Sequence, residues 1–241
     1  IVVRNVTFRY NRFSPLLTLD DVSAVFSEGK VTVIVGSSGS GKSTLMKLLL
    51  GYYRPEKGEI LIGGMNLRDI PLREWRQRCG VVMQEGFIYN DTIERNVVME
   101  EGEVDTALFS ESLKVANLQN EVNALPLKGA TVIGNSGRGL SLGQKQRILI
   151  ARAVYKQPDV ILFDEATNSL DSINEQKIVE NLEKIYKGRT VIIIAHRLCT
   201  IRNADNIIVM DKGRIAATGT FDHLRSHSPI FYNLVKNQLE L

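Results

Sequence analysis

The stretch Gly36-Ser37-Ser38-Gly39-Ser40-Gly41-Lys42-Ser43-Thr44 decides which fold this sequence can adopt. It matches the pattern Gly-x-x-x-x-Gly-Lys-Ser/Thr, in which the backbone N–H groups of a glycine-rich loop surround phosphate oxygens. The apolar, β-branched run at residues 31–35 predicts a buried strand before the loop. The run at residues 45–50 predicts a helix after it, ended by Gly51. Because strand, loop and helix occur in the order that the motif needs, we interpret the stretch as a P-loop rather than a chance turn.

Two side chains of this loop have predicted chemical roles. Lys42 is expected to meet the terminal phosphates of a nucleotide, and the Ser43 hydroxyl is expected to ligate Mg²⁺. The dipole of the following helix adds a favourable field for anions at its N-terminus. We therefore predict that all nine residues of the motif, Gly36 to Thr44, contribute to phosphate binding.

A second motif occurs where the apolar run at residues 160–163 ends in two acids, Asp164 and Glu165. In open α/β sheets, ligands bind at the carboxyl ends of the strands. We expect Asp164 to hold Mg²⁺ through water, and Glu165 to orient or deprotonate an attacking water. A strand that ends in Asp-Glu is common and usually just solvated, but its combination with a P-loop is a specific signal.

The sequence Leu140-Ser141-Leu142-Gly143-Gln144 begins a predicted helix that continues through Ala151. Ser141 and Gln144 have the spacing of a capping box, which is typical of an ordinary helix start. The alternative is a second anion site, because a serine hydroxyl and unpaired amides point out of a helix N-terminus. Such a site could reach a phosphate held by the P-loop only from another molecule or from a distant part of this chain.

The composition indicates a globular protein of one large domain or two small ones. Of the 241 residues, 44% are hydrophobic and 24% are charged. The net charge of +3 is too small to indicate nucleic-acid binding, and we interpret the basic stretch at residues 68–78 as a solvated helix face. Cys79 and Cys199 both lie beside apolar runs, so we predict two buried thiols and no disulfide.

No run of residues approaches the ~18 apolar residues of a membrane span, and no signal peptide is visible. The chain starts at Ile1 rather than Met. We expect that it was cut from a longer protein and that any membrane part lies outside these residues.

Alternation of strands and helices predicts a mostly parallel sheet. Further strands are predicted at residues 1–3, 6–8, 22–26, 59–62, 80–83 and 190–195, and in a final hairpin around Asp211-Lys212-Gly213. Helices are predicted between Ser172 and Tyr186 and from Phe221 onward. The middle of the chain has mainly helical patterns, with capped helices starting at Asp91 and Asp105.

Together, the P-loop, the Asp-Glu strand and the motif at residues 140–147 resemble the ATP-binding domain of ABC transporters, and the resemblance covers essentially the whole chain. It implies an α/β fold, namely a P-loop NTPase (RecA-like) with a mostly parallel core, an antiparallel β subdomain and an inserted α-helical subdomain. It places the core at about 1–85 and 156–241 and the helical subdomain at about 86–155 of one domain, 1–241.

The resemblance also implies the ligands, ATP and Mg²⁺, and the assembly. Two such domains, as a homodimer or a heterodimer, sandwich two ATP molecules. Each ATP lies between the P-loop of one chain and the signature of the other, here Ser141, Leu142, Gly143 and Gln144.

Four further residues take roles from the same resemblance. Tyr10 matches the aromatic residue that stacks on adenine, although a surface strand tyrosine is the alternative. Gln84 matches a glutamine that contacts Mg²⁺ and the attacking water and senses the transport domain. Asp171 belongs to a loop, residues 168–171, that crosses the dimer. His196 matches a switch histidine on the γ-phosphate, and its position after a predicted strand favours this role over a structural one.

Residues 84–93 and 194–198 resemble the exporter branch, and residues 139–147 resemble bacterial exporters of peptides, bacteriocins or toxins, some with an N-terminal peptidase domain. The implied function is ATP hydrolysis, with Lys42, Gln84, Glu165 and His196 as catalytic residues. It would power export through transmembrane domains at the cytoplasmic face of the inner membrane, without a nucleic-acid partner. The alternatives are a soluble ABC ATPase of DNA repair or translation, a nucleotide-sensing module with weak hydrolysis, and an importer subunit.

Two residues depart from the family pattern. Leu142 replaces the usual second glycine of the signature, and Asn135 replaces a glutamate that many exporters have before it. If Ser141 is the helix cap, Leu142 occupies the first helical position with ordinary backbone angles. We therefore expect the site to remain active with leucine at this position. At Asn135 we expect coupling to the transport domains through hydrogen bonds rather than a salt bridge.

Overall fold

The computed structural model describes residues 1–99, 102–134, 137, 139–166, 172–195 and 197–239, with side chains for all of these but 172–175 and 237–239. The strands are β1 (Val2–Phe8), β2 (Leu19–Val25), β3 (Val31–Gly36), β4 (Lys57–Ile62), β5 (Met65–Asn66), β6 (Cys79–Val82), β7 (Asp91–Thr92), β8 (Val132–Ile133), β9 (Val160–Asp164), β10 (Thr190–Ile194), β11 (Asn206–Asp211) and β12 (Arg214–Gly219). The α-helices are α1 (Lys42–Leu49), α2 (Leu72–Gln77), α3 (Ile93–Val98), α4 (Thr106–Val115), α5 (Gln119–Asn123), α6 (Leu142–Tyr155), α7 (Ser172–Tyr186), α8 (Leu198–Arg202), α9 (Phe221–His227) and α10 (Pro229–Leu239). Within the described ranges, no helix combines the length and the apolar character needed to cross a bilayer.

The chain divides into two compact units. The first unit comprises residues 1–76 and 188–241, and the second unit comprises residues 77–187. The predicted strand and helix on either side of the P-loop are both confirmed, as β3 and α1.

Strand β3 lies at the centre of the parallel sheet of the first unit. It pairs in parallel with β10 on one side and with β11 on the other, so that Val33 lies opposite both Ile193 and Ile207. The antiparallel β12 continues the sheet beyond β11 and forms the predicted hairpin with it. Residues 32–36 of β3 are all buried, as expected for a strand covered on both faces. The carboxyl end of this central strand therefore delivers the chain directly into the P-loop.

The first unit also contains an antiparallel sheet in the order β2-β1-β4-β5. Val3 of β1 lies opposite Ala24 of β2 and Ile60 of β4. This is the antiparallel part of the predicted fold. Tyr10 follows the end of β1 by two residues, and its position therefore depends on this sheet.

Side chains of helix α2 cap the C-terminal end of α1, the helix that follows the P-loop. The indole N–H of Trp75 donates to the carbonyl of Leu49 at 2.8 Å. The Arg76 guanidinium donates to the carbonyls of Leu50 and Gly51, each at 3.0 Å. The carbonyls of Leu49 and Leu50 lie at the helix end, where intrahelical partners are missing, and Gly51 follows directly. The prediction of a solvated face at residues 68–78 is therefore wrong for Arg76, because its charge caps the C-terminus of α1.

In the second unit, β6 and β9 pair in parallel, with Val82 opposite Phe163. Helix α6 contacts β6 as well as α3 and α4, and buries residues such as Ile148 and Ile150. The strands β7 and β8 form a short antiparallel pair beside these helices.

The helix caps of the second unit are partly those predicted. Asp105 caps α4, because its carboxylate accepts from the backbone N–H groups of Ala107 and Leu108. The prediction of Asp91 as the cap of α3 is wrong by one residue. Thr92, the second residue of β7, is the cap, with its hydroxyl accepting from Arg95 N at 3.1 Å.

The two cysteines are both thiols, but they differ in burial. Cys79 is buried in β6 as predicted, whereas Cys199 is exposed. The apolar run before Cys199 ends with β10, and Cys199 itself lies in the short helix α8. The prediction of a second buried thiol is wrong for this reason.

We predict that Arg76→Ala lowers the free energy of unfolding by about 2 kcal/mol, because two helix-end carbonyls lose a charged donor. Arg73→Ala is the matched control, since Arg73 lies exposed on the same helix. Its expected effect is within about 0.5 kcal/mol. Urea unfolding followed by circular dichroism measures both, and equal effects of the two substitutions would contradict the capping role of Arg76.

Candidate active site

The two outer glycines of the P-loop are required by its geometry. A Cβ atom on Gly36 would collide with the backbone carbonyl of Met210 in β11 and would lie 2.7 Å from Ser40 Oγ. Gly41, the N-cap of α1, has a φ of 100°, a conformation that strains any residue with a side chain. The loop can therefore leave β3 and enter α1 only with glycine at both positions.

The Lys42 ammonium is held against this loop. Its Nζ donates to the carbonyls of Gly36 at 2.8 Å and Ser37 at 2.9 Å, and the residue is only 6% exposed. A cation placed in a protein interior is costly unless anionic or hydrogen-bonding groups compensate it. The loop thus holds a positive charge at the N-terminus of α1.

The N-terminus of α1 is built to receive an anion from outside the helix. Gly41 supplies no side-chain cap, and the first turn of α1 contains no acidic residue. The buried hydroxyl of Ser40 also lacks a hydrogen-bond partner within the described part of the chain. Donors without a protein acceptor beside a buried ammonium fit the phosphates of a nucleotide.

Tyr10 is held near the P-loop helix by three neighbours. Its ring meets those of Phe8 and Tyr53 edge to face, with centroids 5.0 and 5.1 Å away. Its hydroxyl shares a hydrogen bond of 3.1 Å with Thr44 Oγ1. Tyr10 as a residue remains 52% exposed, so the structure brings together the predicted P-loop and an aromatic residue that a ligand can contact.

The carboxyl ends of β6 and β9 bring the predicted polar residues of the second unit to one edge. Asp164 ends β9 and is 2% exposed, and Glu165 follows it. Gln84 is exposed two residues after the end of the neighbouring β6. Oxygen donors of this kind are the ligands that Mg²⁺ prefers.

Glu165 has a φ of 53°, in the left-handed region that residues other than glycine rarely adopt. Backbone strain of this kind concentrates at functional sites, where the surrounding structure maintains it. The left-handed backbone at Glu165 sets the direction in which the chain leaves β9.

The N-terminus of α6 confirms the predicted capping box. Ser141 Oγ accepts from Gln144 N at 3.1 Å, and Gln144 Oε1 accepts from Ser141 N, also at 3.1 Å. Leu142 is the first helical residue, and its φ is not positive. Its side chain is 71% exposed. The expected ordinary backbone at Leu142 is confirmed, so this position does not need the freedom of glycine.

Several predicted residues lie outside the described residues: His196, Asp171 with the rest of the loop at residues 168–171, and Asn135. The strand that leads toward His196 is described. It is β10, in which Ile194 pairs with Ile34 of β3.

Residues 19–168 match the ABC transporter family. The chain belongs to the ABC transporter family. The match covers more than half of the chain and includes both the P-loop and the Asp164-Glu165 pair.

Relatives of this chain include a flippase and a translocation ATP-binding protein. The ATP-dependent lipid A-core flippase of Saccharophagus degradans is 40% identical over 238 residues, which are 99% of this chain and 40% of that protein. The alpha-hemolysin translocation ATP-binding protein HlyB of Escherichia coli is 42% identical over 233 residues, 97% of this chain and 33% of that protein. This chain therefore spans about two fifths or less of the length of these relatives.

A solved structure shares the fold. The structure of a bacterial Atm1-family ABC exporter with ATP bound superposes with a TM-score of 0.92 at 36% identity, covering 98% of this chain and 41% of that chain. The predicted P-loop NTPase fold and the resemblance to exporter ATP-binding domains are thereby confirmed.

The sequence reasoning did not identify Tyr53, although this residue holds the exposed ring of Tyr10 at its edge. The available signal was the aromatic pair Tyr52-Tyr53 directly after the helix stop at Gly51. From the sequence alone, an aromatic pair at a turn does not indicate that Tyr10 is its partner, because Tyr10 comes near only in the folded chain.

We predict that Ser141→Ala lowers the free energy of unfolding by about 1 kcal/mol, because the cap of α6 is lost. Ser141→Asn should recover most of this loss, since asparagine is an equally good cap. Chemical denaturation measures both. Ser226→Ala is the control, because Ser226 lies exposed inside α9, where alanine is well tolerated. Equal stability of Ser141→Ala and the unsubstituted chain would show that the capping box contributes nothing.

Proposed function

We propose that this chain binds and hydrolyses ATP, and that the hydrolysis powers export of a substrate across a membrane. The observation that carries the proposal is the P-loop, in which a buried ammonium and the uncapped N-terminus of α1 lie at the carboxyl end of β3. Membership of the ABC transporter family supports the same reading.

The phosphates are bound by the loop amides of residues 36–41, the Lys42 ammonium and the hydroxyls of Ser43 and Thr44. Lys42 and the amides stabilise the negative charge that develops on the phosphate oxygens in the transition state. Tyr10 stacks on the adenine, and its exposed ring beside the P-loop helix supports this role.

Glu165 orients the attacking water and accepts its proton while the water oxygen bonds to the γ-phosphorus. The bond from that phosphorus to the bridging oxygen breaks, and ADP and phosphate leave. Ser43, Gln84 and Asp164 supply the oxygen donors for Mg²⁺. When bound, the ion would withdraw charge from the phosphates. His196 contacts the γ-phosphate.

The site is completed by a second copy of the domain. Ser141, Leu142, Gly143 and Gln144 of that copy face the γ-phosphate, and Asp171 lies in the loop that crosses the dimer. The capping box supports this role, because it holds Ser141 exposed at the N-terminus of a 14-residue helix.

Export is supported by the names of the relatives, which are a flippase, translocation proteins and an exporter. The proposed partners are transmembrane domains of the same transporter, and the proposed place of action is the cytoplasmic face of the inner membrane. The proposed cargo is a peptide or a toxin. The division into a core at about 1–85 and 156–241 and a helical subdomain at about 86–155 belongs to the same proposal.

We predict that Glu165→Gln binds ATP and dimerises but hydrolyses ATP at least about a hundredfold more slowly, because the water loses its base. Phosphate release measures turnover, and sedimentation with ATP measures the dimer. Glu103→Gln, at an exposed position of the same unit, is the control and should hydrolyse normally. Undiminished hydrolysis by Glu165→Gln would overturn the assignment.

We also predict that Leu142→Gly changes the rate of ATP hydrolysis by less than about threefold. The backbone at Leu142 is already helical, so glycine adds only conformational entropy to the unfolded chain, costing about 0.5–1 kcal/mol of stability. Leu142→Ala removes the same exposed side chain without that freedom and is the matched control. A tenfold gain with glycine but not with alanine would show that this position needs a glycine backbone.

A further inference from the structure

Glu121 belongs to none of the motifs above, yet it contacts α6, the helix that begins in the signature, through both carboxylate oxygens. It lies in α5, and its Oε2 accepts from Gln144 Nε2 at 3.1 Å. Its Oε1 accepts from Nη1 of Arg147. One carboxylate thus joins two residues of α6 that lie one turn apart on the same helix.

The contact with Gln144 favours the same orientation of its side-chain amide as the capping box does. The amide nitrogen donates to Glu121, so the amide oxygen is left to accept from the backbone N–H of Ser141. Without a carboxylate, the amide could turn over and place its own N–H₂ group against that N–H. Two donors would then face each other, and half of the capping box would be lost.

The contact with Arg147 anchors the helix. The side chain of Arg147 is only 7% exposed, and its Nη1 also donates to the carbonyl of Asn117 at 2.8 Å. A buried guanidinium within the first two turns of a helix is opposed both by burial and by the positive end of the helix dipole. Glu121 offsets this charge and so fixes the start of α6 against α5.

We propose that Glu121 is a positioning residue for the phosphate-facing N-terminus of α6. The inference rests on the proposed function, in which Ser141 to Gln144 meet the γ-phosphate of an ATP bound to a second copy. Through Gln144 and Arg147, Glu121 sets the direction of the Ser141 hydroxyl and of the first amides of the helix.

The sign of the effect separates positioning from simple electrostatics. A carboxylate near a phosphate site repels the phosphate, so removing it would strengthen ATP-dependent dimerisation if charge alone mattered. Positioning predicts the opposite, because the donors of α6 would lose their alignment. The affinity of the P-loop of the monomer for a nucleotide should stay unchanged in either case.

The test compares Glu121→Ala and Glu121→Gln in the full protein chain. In a Glu165→Gln background, sedimentation with ATP should show a dimer weakened about tenfold by alanine, the equivalent of one charged hydrogen bond. Glutamine, which keeps one acceptor, should weaken it about threefold. Without the Glu165 substitution, kcat should fall in the same order, while the affinity of the monomer for a fluorescent ATP analogue stays constant.

Glu111→Ala is the matched control, because Glu111 is an exposed carboxylate of the same unit, 3.9 Å from Lys114 Nζ. It should leave dimerisation and kcat unchanged. A merely structural role of Glu121 would lower the melting temperature without weakening the dimer at a temperature where the variant is fully folded. If Glu121→Ala unfolds under assay conditions, Glu121→Gln decides.

The positioning role alone would be overturned by two results together. Glu121→Gln and folded Glu121→Ala would form an unchanged or tighter dimer, and Ser141→Ala would form a weaker one. If Ser141→Ala also leaves dimerisation and hydrolysis unchanged, the proposed function of the signature fails instead.

Discussion

The close approach of two backbones at Gly36 is the constraint on which the first unit depends. Strand β3 is buried between β10 and β11, and the carbonyl of Met210 occupies the space that a Cβ on Gly36 would need. The loop must therefore start at this point, and its carbonyls then hold the Lys42 ammonium. Trp75 and Arg76 complete the arrangement by satisfying the carbonyls at the far end of α1. The whole P-loop helix is fixed at both ends.

The capping box and an anion site at Ser141 are compatible. Ser141 Oγ acts as the acceptor in its bond with Gln144 N. A serine hydroxyl has one hydrogen to donate in addition to its lone pairs, so that hydrogen remains available to a phosphate oxygen. The two interpretations that the sequence left open for this segment therefore do not exclude each other. The capping box fixes the position of Ser141 Oγ, and the hydroxyl hydrogen can still donate outward from the N-terminus of α6.

Features that depend on local spacing were predictable from the sequence, and features that depend on distant contacts were not. The P-loop and the box at Ser141 follow from patterns within a few residues of each other. Arg76 and Gly51 lie 25 residues apart, and Gln144 and Glu121 lie 23 apart, so no spacing rule relates them. At Asp91 the error arose between two good caps in neighbouring positions, Asp91 and Thr92. Both residues pair with β8, so the local pattern does not distinguish them.

The two helix ends that bind phosphate under the proposed function differ in the groups they offer, and this difference bears on the order in which they bind. The P-loop presents a buried ammonium, whose field is little screened by solvent. At α6, Arg147 is neutralised by Glu121, and Lys145 is exposed and therefore screened. This end offers mainly oriented hydrogen bonds, which act over a short range. Under the proposed function, ATP would therefore bind the P-loop of one copy first. The α6 end of the second copy would add its contacts only when its geometry is already correct, which is why a residue such as Glu121 that fixes this geometry matters.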